Sequence, residues 1–160
     1  MSNRLYGLPP VIDERARILI LGSFPSVASL TAQRYYAHPQ NQFWRILAAV
    51  LTLPLTEMDY AAKLVAVRSA GIAIWDVCGH CVREGSLDSA IRDVQANDFS
   101  LLQKSAPQLR RACFNGKMAA KFDARLESLG FETVVLPSTS PAYTLPFAVK
   151  LAAWHAALKP

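Results

Sequence analysis

Apolar runs and apolar stripes alternate along the chain. "RILILGS" (17–23) is an unbroken apolar run that stops at Gly-Ser, the pattern of a strand buried on both faces. "GIAIWDV" (71–77) repeats it. "RRACFNG" (110–116) is a third run, opened by Arg110 and Arg111, and "FETVVLPS" (131–138) is a fourth, rich in β-branched residues and stopped by Pro137. Between these runs the apolar positions recur at helical spacing. Phe43, Trp44, Leu47, Ala48 and Leu51 form one face, and Tyr60, Leu64 and Val67 form another. "SLDSAIRDV" predicts a helix capped by Ser86, with Leu87, Ile91 and Val94 on one side. "KMAAKFDARLESLG" predicts an amphipathic helix ended by Gly130, and Pro146 opens a last helix carrying Phe147, Leu151, Trp154 and Leu158.

Strand–helix alternation of this kind predicts an α/β fold, a three-layer α/β/α arrangement around a central, mainly parallel four-stranded sheet. No repeat, linker or low-complexity segment interrupts it, so residues 1–160 read as a single domain. Ligands of such folds bind beyond the carboxyl ends of the strands. Those ends are "GSFPS", "DVCGHC", "NGK" and "PSTSPA".

Composition narrows the class. At 52% hydrophobic residues, the chain reads as globular, not disordered. The longest apolar runs, "ILIL" and "GIAIW", are too short to span a bilayer. The start, "MSNRLYGLPPVIDER", lacks the basic-then-apolar order of a signal peptide, so a cytoplasmic, nucleoid-associated protein is expected, with no membrane partner. The formal net charge of +5 suits an anionic partner such as nucleic acid, and equally a solvated basic surface. Three cysteines, an odd number, argue against a secreted disulfide framework.

"CGHC" (78–81) spells a redox motif: two thiols two residues apart, with a histidine able to lower the pKa of the attacking one. A thiol–disulfide oxidoreductase using Cys78 and Cys81 is therefore one alternative function. A zinc site would need a fourth ligand from Cys113, His38 or His155 with no supporting spacing, and adjacent His80 and Cys81 would struggle to converge on one ion. The plainer reading is that these small residues end a strand and begin a loop.

"YYAHPQNQFWRIL" (35–47) carries a mixture that a helix core does not need. Asn41 can accept from a water through its amide oxygen and donate through its NH₂, but it cannot be a strong base. The same residue could instead satisfy backbone amides at a helix start. Phe43 and Trp44 face directions about 100° apart on a helix, so only one can face a pocket, and Phe43 is taken as that one. Asp76 ends the second strand, where a carboxylate could accept hydrogen bonds or cap the loop that follows.

Three segments together, "LGSFPSVASL…YYAHPQNQFW", "GIAIWDVCGHCVREGSLDSAI" and "LPSTSPA", resemble in order and spacing the hypoxanthine-DNA glycosylase branch of the uracil-DNA glycosylase superfamily. "HPQNQFW" fits that branch's HPxNxFW pattern at every fixed position. The likeness runs from about Arg17 to the last helix. It implies a uracil-DNA glycosylase-like fold and a monofunctional enzyme that hydrolyses the N-glycosidic bond of deaminated bases in DNA, hypoxanthine foremost, uracil or xanthine besides. It implies no cofactor and no metal, and a monomer is expected. No lysine lies inside the matched motifs to form a Schiff base. A relative that binds DNA without catalysis is a second alternative.

By the same resemblance Asn41 orients the attacking water. Gly22, Ser23, Phe24, Phe43 and Asp76 form the base pocket, with Asp76 standing where the wider superfamily has a base-reading Asn. The last loop, with Ser138, Thr139, Ser140, Pro141 and Tyr143, inserts beside the lesion and meets phosphate. His38 either orients its loop or contacts phosphate, and Lys117, near a helix start beside Asn115, contacts the DNA backbone. Two positions depart from the branch: Ser26 stands where Gly is usual, and Tyr143 where Asn is common.

Overall fold

The four apolar runs become the four strands of one parallel sheet. In the computed structural model, which describes residues 3–159, they are β2 (Ile18–Gly22), β3 (Ile72–Asp76), β6 (Arg111–Asn115) and β7 (Glu132–Leu136). Met1, Ser2 and Pro160, the ends of the domain expected from the sequence, lie outside the described residues. The strand order is β3-β2-β6-β7, with Ile20 registered between Ile74 and Cys113.

Because successive side chains of a strand point to opposite faces, these runs fill two cores. Ile18, Ile20, Ile72, Ile74 and Cys113 pack under α2 (Phe43–Leu51), α3 (Tyr60–Ser69) and α7 (Phe147–Ala157), with Phe43, Trp44, Leu47, Val67 and Trp154. Leu19, Leu21, Ala73, Trp75, Ala112 and Phe114 pack on the other face against α4 (Leu102–Ser105), α5 (Lys117–Ala120) and α6 (Asp123–Ser128), through Leu102, Ala119 and Leu126. The three layers expected from the sequence are present. A further helix, α1 (Val27–Ala32), follows the first strand-end loop.

Two expectations are corrected. Residues 86–94 do not form a helix: one 3₁₀ turn at Asp88–Ala90 leads into β5 (Arg92–Ala96). Ser86 instead reaches the start of another helix, its Oγ accepting from the Val27 N–H at 2.9 Å. Arg92, Asp93 and Gln95 stay exposed while Val94 packs inward, so the local period is closer to 2 than to 3.6. Nor does "CGHC" end a strand and begin a loop. It is itself β4 (Cys78–Val82), the centre of an antiparallel sheet with β1 (Arg4–Tyr6) and β5. The helix expected over 117–130 is split in two. Asp123 Oδ1 takes the Ala124 N–H at 2.7 Å, a local bond that competes with helical continuity.

Candidate active site

All four parallel strands end at one cavity of about 780 Å³. Gly22, Asp76, Asn115 and Leu136 are their last residues, and each lines it. This is where an open α/β sheet binds ligands, and the volume falls in the range of about 300–1,000 Å³ usual for ligand pockets.

Asp76 lies at the bottom. It is 5% exposed, and its Oδ2 is buried without a hydrogen-bond partner among the described residues. Burial pushes its carboxyl up to about 7; the neighbouring Asp88 charge adds to the shift and Arg83 offsets part of it. The side chain does not cap the loop after it. The Val77 and Cys78 amides donate instead to the Gly22 and Ser23 carbonyls, at 2.8 and 3.1 Å. Gly22 makes room for this arrangement: a methyl group there would lie 2.5 Å from Asp76 Oδ1 and 2.9 Å from the Tyr36 hydroxyl.

Asn41 reaches the cavity at the entrance to α2. Its Oδ1 accepts from the Phe43 N–H at 2.9 Å, just ahead of the N-cap Gln42, and this bond fixes the amide. An amide oxygen has two lone pairs, so one acceptor site and the NH₂ stay available for other partners. His38 also lines the cavity, and its Nδ1 accepts from the Gln40 N–H at 3.1 Å, so it orients its own turn.

Phe43 does not face the pocket, contrary to expectation. It is fully buried, T-shaped against Trp44 and Trp154, and its outer face is covered by Tyr36 at 3.9 Å between centroids and 17° between planes. The aromatics that line the inner cavity are Phe24, Tyr35 and Tyr36, with Tyr143 joining them from the last loop. Tyr36 carries a left-handed backbone, φ 54°. Its hydroxyl accepts from Asn115 Nδ2 at 3.2 Å, and burial raises its pKa. Two tyrosines in succession before "HPQN" were the visible signal, but only the backbone turn decides that the second ring covers Phe43.

Ser23 Oγ donates to Asp88 Oδ1 at 2.6 Å, tying the first loop to the turn before β5. Phe24 lies under the Arg83 guanidinium, 5.2 Å from its ring centroid, while Arg83 Nη2 donates to the Pro25 carbonyl at 2.7 Å. Sequence reasoning missed Asp88 and Arg83, which act through partners about 60 positions away. Ser26 at the Gly position leaves the loop intact: its φ is −64°, and its side chain accepts from the Ser29 N–H as the cap of α1.

The last loop is anchored from below. Thr139 is 1% exposed, so its hydroxyl cannot meet phosphate as expected. Its Oγ1 accepts from Asn115 Nδ2 at 3.0 Å, and its N–H donates to Asn115 Oδ1 at 2.9 Å. Gly116, at φ 98°, lets Ser138 approach β6; a methyl group there would lie 3.2 Å from Ser138 Cβ. Ser138 and Ser140 accept from the Ser140 and Ala142 amides at 3.1 and 3.2 Å. Both line the cavity with Tyr143 and Lys117, whereas Pro141 is exposed outside it. Lys150, 1% exposed on α7, holds the loop tip: Nζ donates to the Tyr143 carbonyl at 2.7 Å and the Ser140 carbonyl at 3.3 Å, and lies 5.4 Å from the Tyr143 ring centroid.

The thiol–disulfide alternative fails on its chemistry. Cys78 and Cys81 are both buried and free, and burial, helped by Cys81, pushes Cys78 up to about 12, so it carries almost no nucleophilic thiolate. His80 is engaged elsewhere, its Nδ1 2.9 Å from Arg4 Nη1 and its ring tilted against that of Tyr6, 5.1 Å between centroids. Among the described residues, no three His, Cys, Asp or Glu side chains converge as a metal site. No helix among them is long and apolar enough to cross a membrane.

Comparison with known proteins agrees with this geometry. The family model of the uracil DNA glycosylase superfamily matches residues 9–158. A hypoxanthine DNA glycosylase from Methanosarcina acetivorans is 46% identical over 136 residues, 85% of this chain and 86% of the relative. Another from Methanosarcina barkeri is 39% identical over 153 residues, covering 96% and 97%. A solution structure from M. acetivorans, provisionally described as a uracil DNA glycosylase, superposes with a TM-score of 0.89 at 41% identity, over 98% of this chain and 97% of the other. With the strand-end cavity and these matches in agreement over nearly the whole chain, the protein belongs to the uracil DNA glycosylase superfamily.

Proposed function

We propose that this DNA glycosylase releases hypoxanthine from DNA, with uracil and xanthine as lesser substrates, and that it acts as a monomer wherever DNA lies. The observation that carries the reading is the cavity with Asn41 at its rim and Asp76 at its base, beyond the sheet's carboxyl edge. Bases inside a duplex are out of reach of such a site, so the nucleotide is flipped into it. Asn41, held by its bond to the Phe43 N–H, orients a water toward the sugar carbon, and the bond to the base breaks through an oxocarbenium-like state. Asp76 meets the polar edge of the base. The loop pinned by Asn115 and Lys150 presents Tyr143 and the Ser138 and Ser140 hydroxyls to the DNA.

Base release from otherwise identical oligonucleotides carrying hypoxanthine, uracil or xanthine tests the reading, with hypoxanthine expected to leave fastest. Asn41→Ala should still bind lesion DNA but lose roughly 10²-fold or more in single-turnover release, the scale typical of lost positioning. Absence of release from all three substrates rejects the function, and near-normal release by the variant removes Asn41 from it.

A further inference from the structure

We propose that Asp76 acts on the base as a neutral carboxylic acid, giving first a hydrogen bond and then its proton to the ring carbonyl oxygen of the departing base. This rests on the glycosylase reading and adds a catalytic role to a group otherwise only in contact with substrate.

The surroundings of Asp76 favour the neutral acid. Its Oδ2 is buried at a cavity wall, and among the described residues no donor reaches it. The titratable and charged groups facing it are Asp88, in the turn before β5; Arg83, just after β4; Cys78, on β4; and Tyr35 and Tyr36, ahead of α2. The tyrosines and Cys78 are neutral near pH 7, since burial raises all three. Asp88 opposes a second negative charge. Arg83 gives only Nη2 to the Pro25 carbonyl and lies over the Phe24 ring; its Nε and Nη1 are buried without partners among the described residues, and it makes no salt bridge to Asp76.

Ligand chemistry points the same way. Hypoxanthine, xanthine and uracil share a lactam edge, a carbonyl oxygen beside a ring N–H. A neutral carboxyl offers one donor and one acceptor, so it can make both hydrogen bonds at once, whereas a carboxylate has no donor for the oxygen. In hypoxanthine, as the C1′–N9 bond breaks, its electron pair passes into the base and part of that charge reaches the carbonyl oxygen. An ionised Asp76 would repel it; the acid stabilises it and can pass its proton across. The base then leaves neutral. The water oxygen bonds to C1′, its proton goes to solvent, and Asp76 is reprotonated from solvent when the base departs. An Asn side chain has the same shape and the same donor–acceptor pair, but cannot transfer a proton or ionise.

Single-turnover release of hypoxanthine is measured from about pH 5.5 to 9 for the wild type, Asp76→Asn and Asp88→Asn, with melting temperatures on the same preparations. The wild-type rate should be level in acid and fall about tenfold per pH unit above roughly 7. Asp76→Asn should release base more slowly but lose that alkaline fall. Asp88→Asn should move the fall to lower pH, because it removes the charge that opposes ionisation. This second variant decides the matter if the first does not fold. A wild-type rate that holds or rises through pH 7, a fall that survives in folded Asp76→Asn, or one unmoved in Asp88→Asn overturns the role while leaving the glycosylase reading in place. Failure of the wild type to release base at any pH overturns both.

Discussion

At the scale of single residues, Asp76 buries a carboxyl oxygen, Oδ2, that has no hydrogen-bond partner among the described residues. Its cost should be visible in stability as well as in catalysis. The folded-state value of Asp76 is raised from 3.8 to about 7, so between those values the native state holds a proton that the unfolded chain gives up. Stability is therefore fully present below about pH 4 and is lost as pH rises through 7. Asp76→Asn cannot ionise and should escape that loss. The variant should gain on the wild type between pH 4.5 and 8, by at most about 4 kcal/mol at about 1.4 kcal/mol per unit. Melting temperatures at the two ends of this range check it, and a wild type that gains on the variant with rising pH would show that the carboxylate is ionised and paired. Asp76 and Asn41 were legible in the chain because each sits at a fixed place in a recognisable element, the last residue of an apolar run and the entrance to an amphipathic helix. That Tyr36, and neither Phe43 nor Trp44, lines the cavity was not legible. Helical periodicity separates Phe43 from Trp44 but leaves both buried, and the covering ring comes from a residue whose left-handed backbone no pattern announces.

At the scale of elements, the strands and long helices were readable because burial on two faces of a parallel sheet leaves unbroken apolar runs. The segment 86–94 misled because three apolar residues at spacings of four and three fit a helix, while its partners, β4 and the start of α1, are distant in sequence. The last loop shows the same limit. Its prolines and hydroxyls announce a turn, but the groups that set its shape lie elsewhere, Asn115 on β6 and Lys150 on the following helix. Charged hydrogen bonds of this kind contribute about 1.5–3 kcal/mol each, offset here by the cost of burying the ammonium. Lys150→Met should therefore change global stability by less than about 1.5 kcal/mol while loosening residues 140–144 and slowing base release about tenfold. Amide hydrogen exchange would register the difference as faster exchange confined to that loop. Unchanged protection there would mean that Lys150 serves only the packing of α7.

At the scale of the whole molecule, the fold places its chemistry and its charge differently. The α/β alternation alone locates the cavity, since every parallel strand points its carboxyl end the same way. The net charge of +5 has no such address: it is spread over 17 Lys and Arg against 12 Asp and Glu, with no long basic run. Lys117 is the exposed lysine lining the cavity, beside the polar loop residues Ser138 and Ser140. Binding should then combine a moderate electrostatic footprint with a salt-insensitive grip on the flipped base. For a footprint of about four phosphates, the logarithm of affinity should fall against the logarithm of salt with a slope near −3.6, or roughly 10²-fold from about 50 to 200 mM. Lys117→Ala should reduce the slope by about one and weaken binding alike on lesion and undamaged duplexes, because a phosphate contact carries no base information. Asp76→Asn should leave the slope alone and affect the lesion duplex only. Titrations of both duplexes at several salt concentrations separate the two terms. A slope that stays near zero would mean that the basic surface lies away from the DNA, and that the cavity holds its substrate by the base alone.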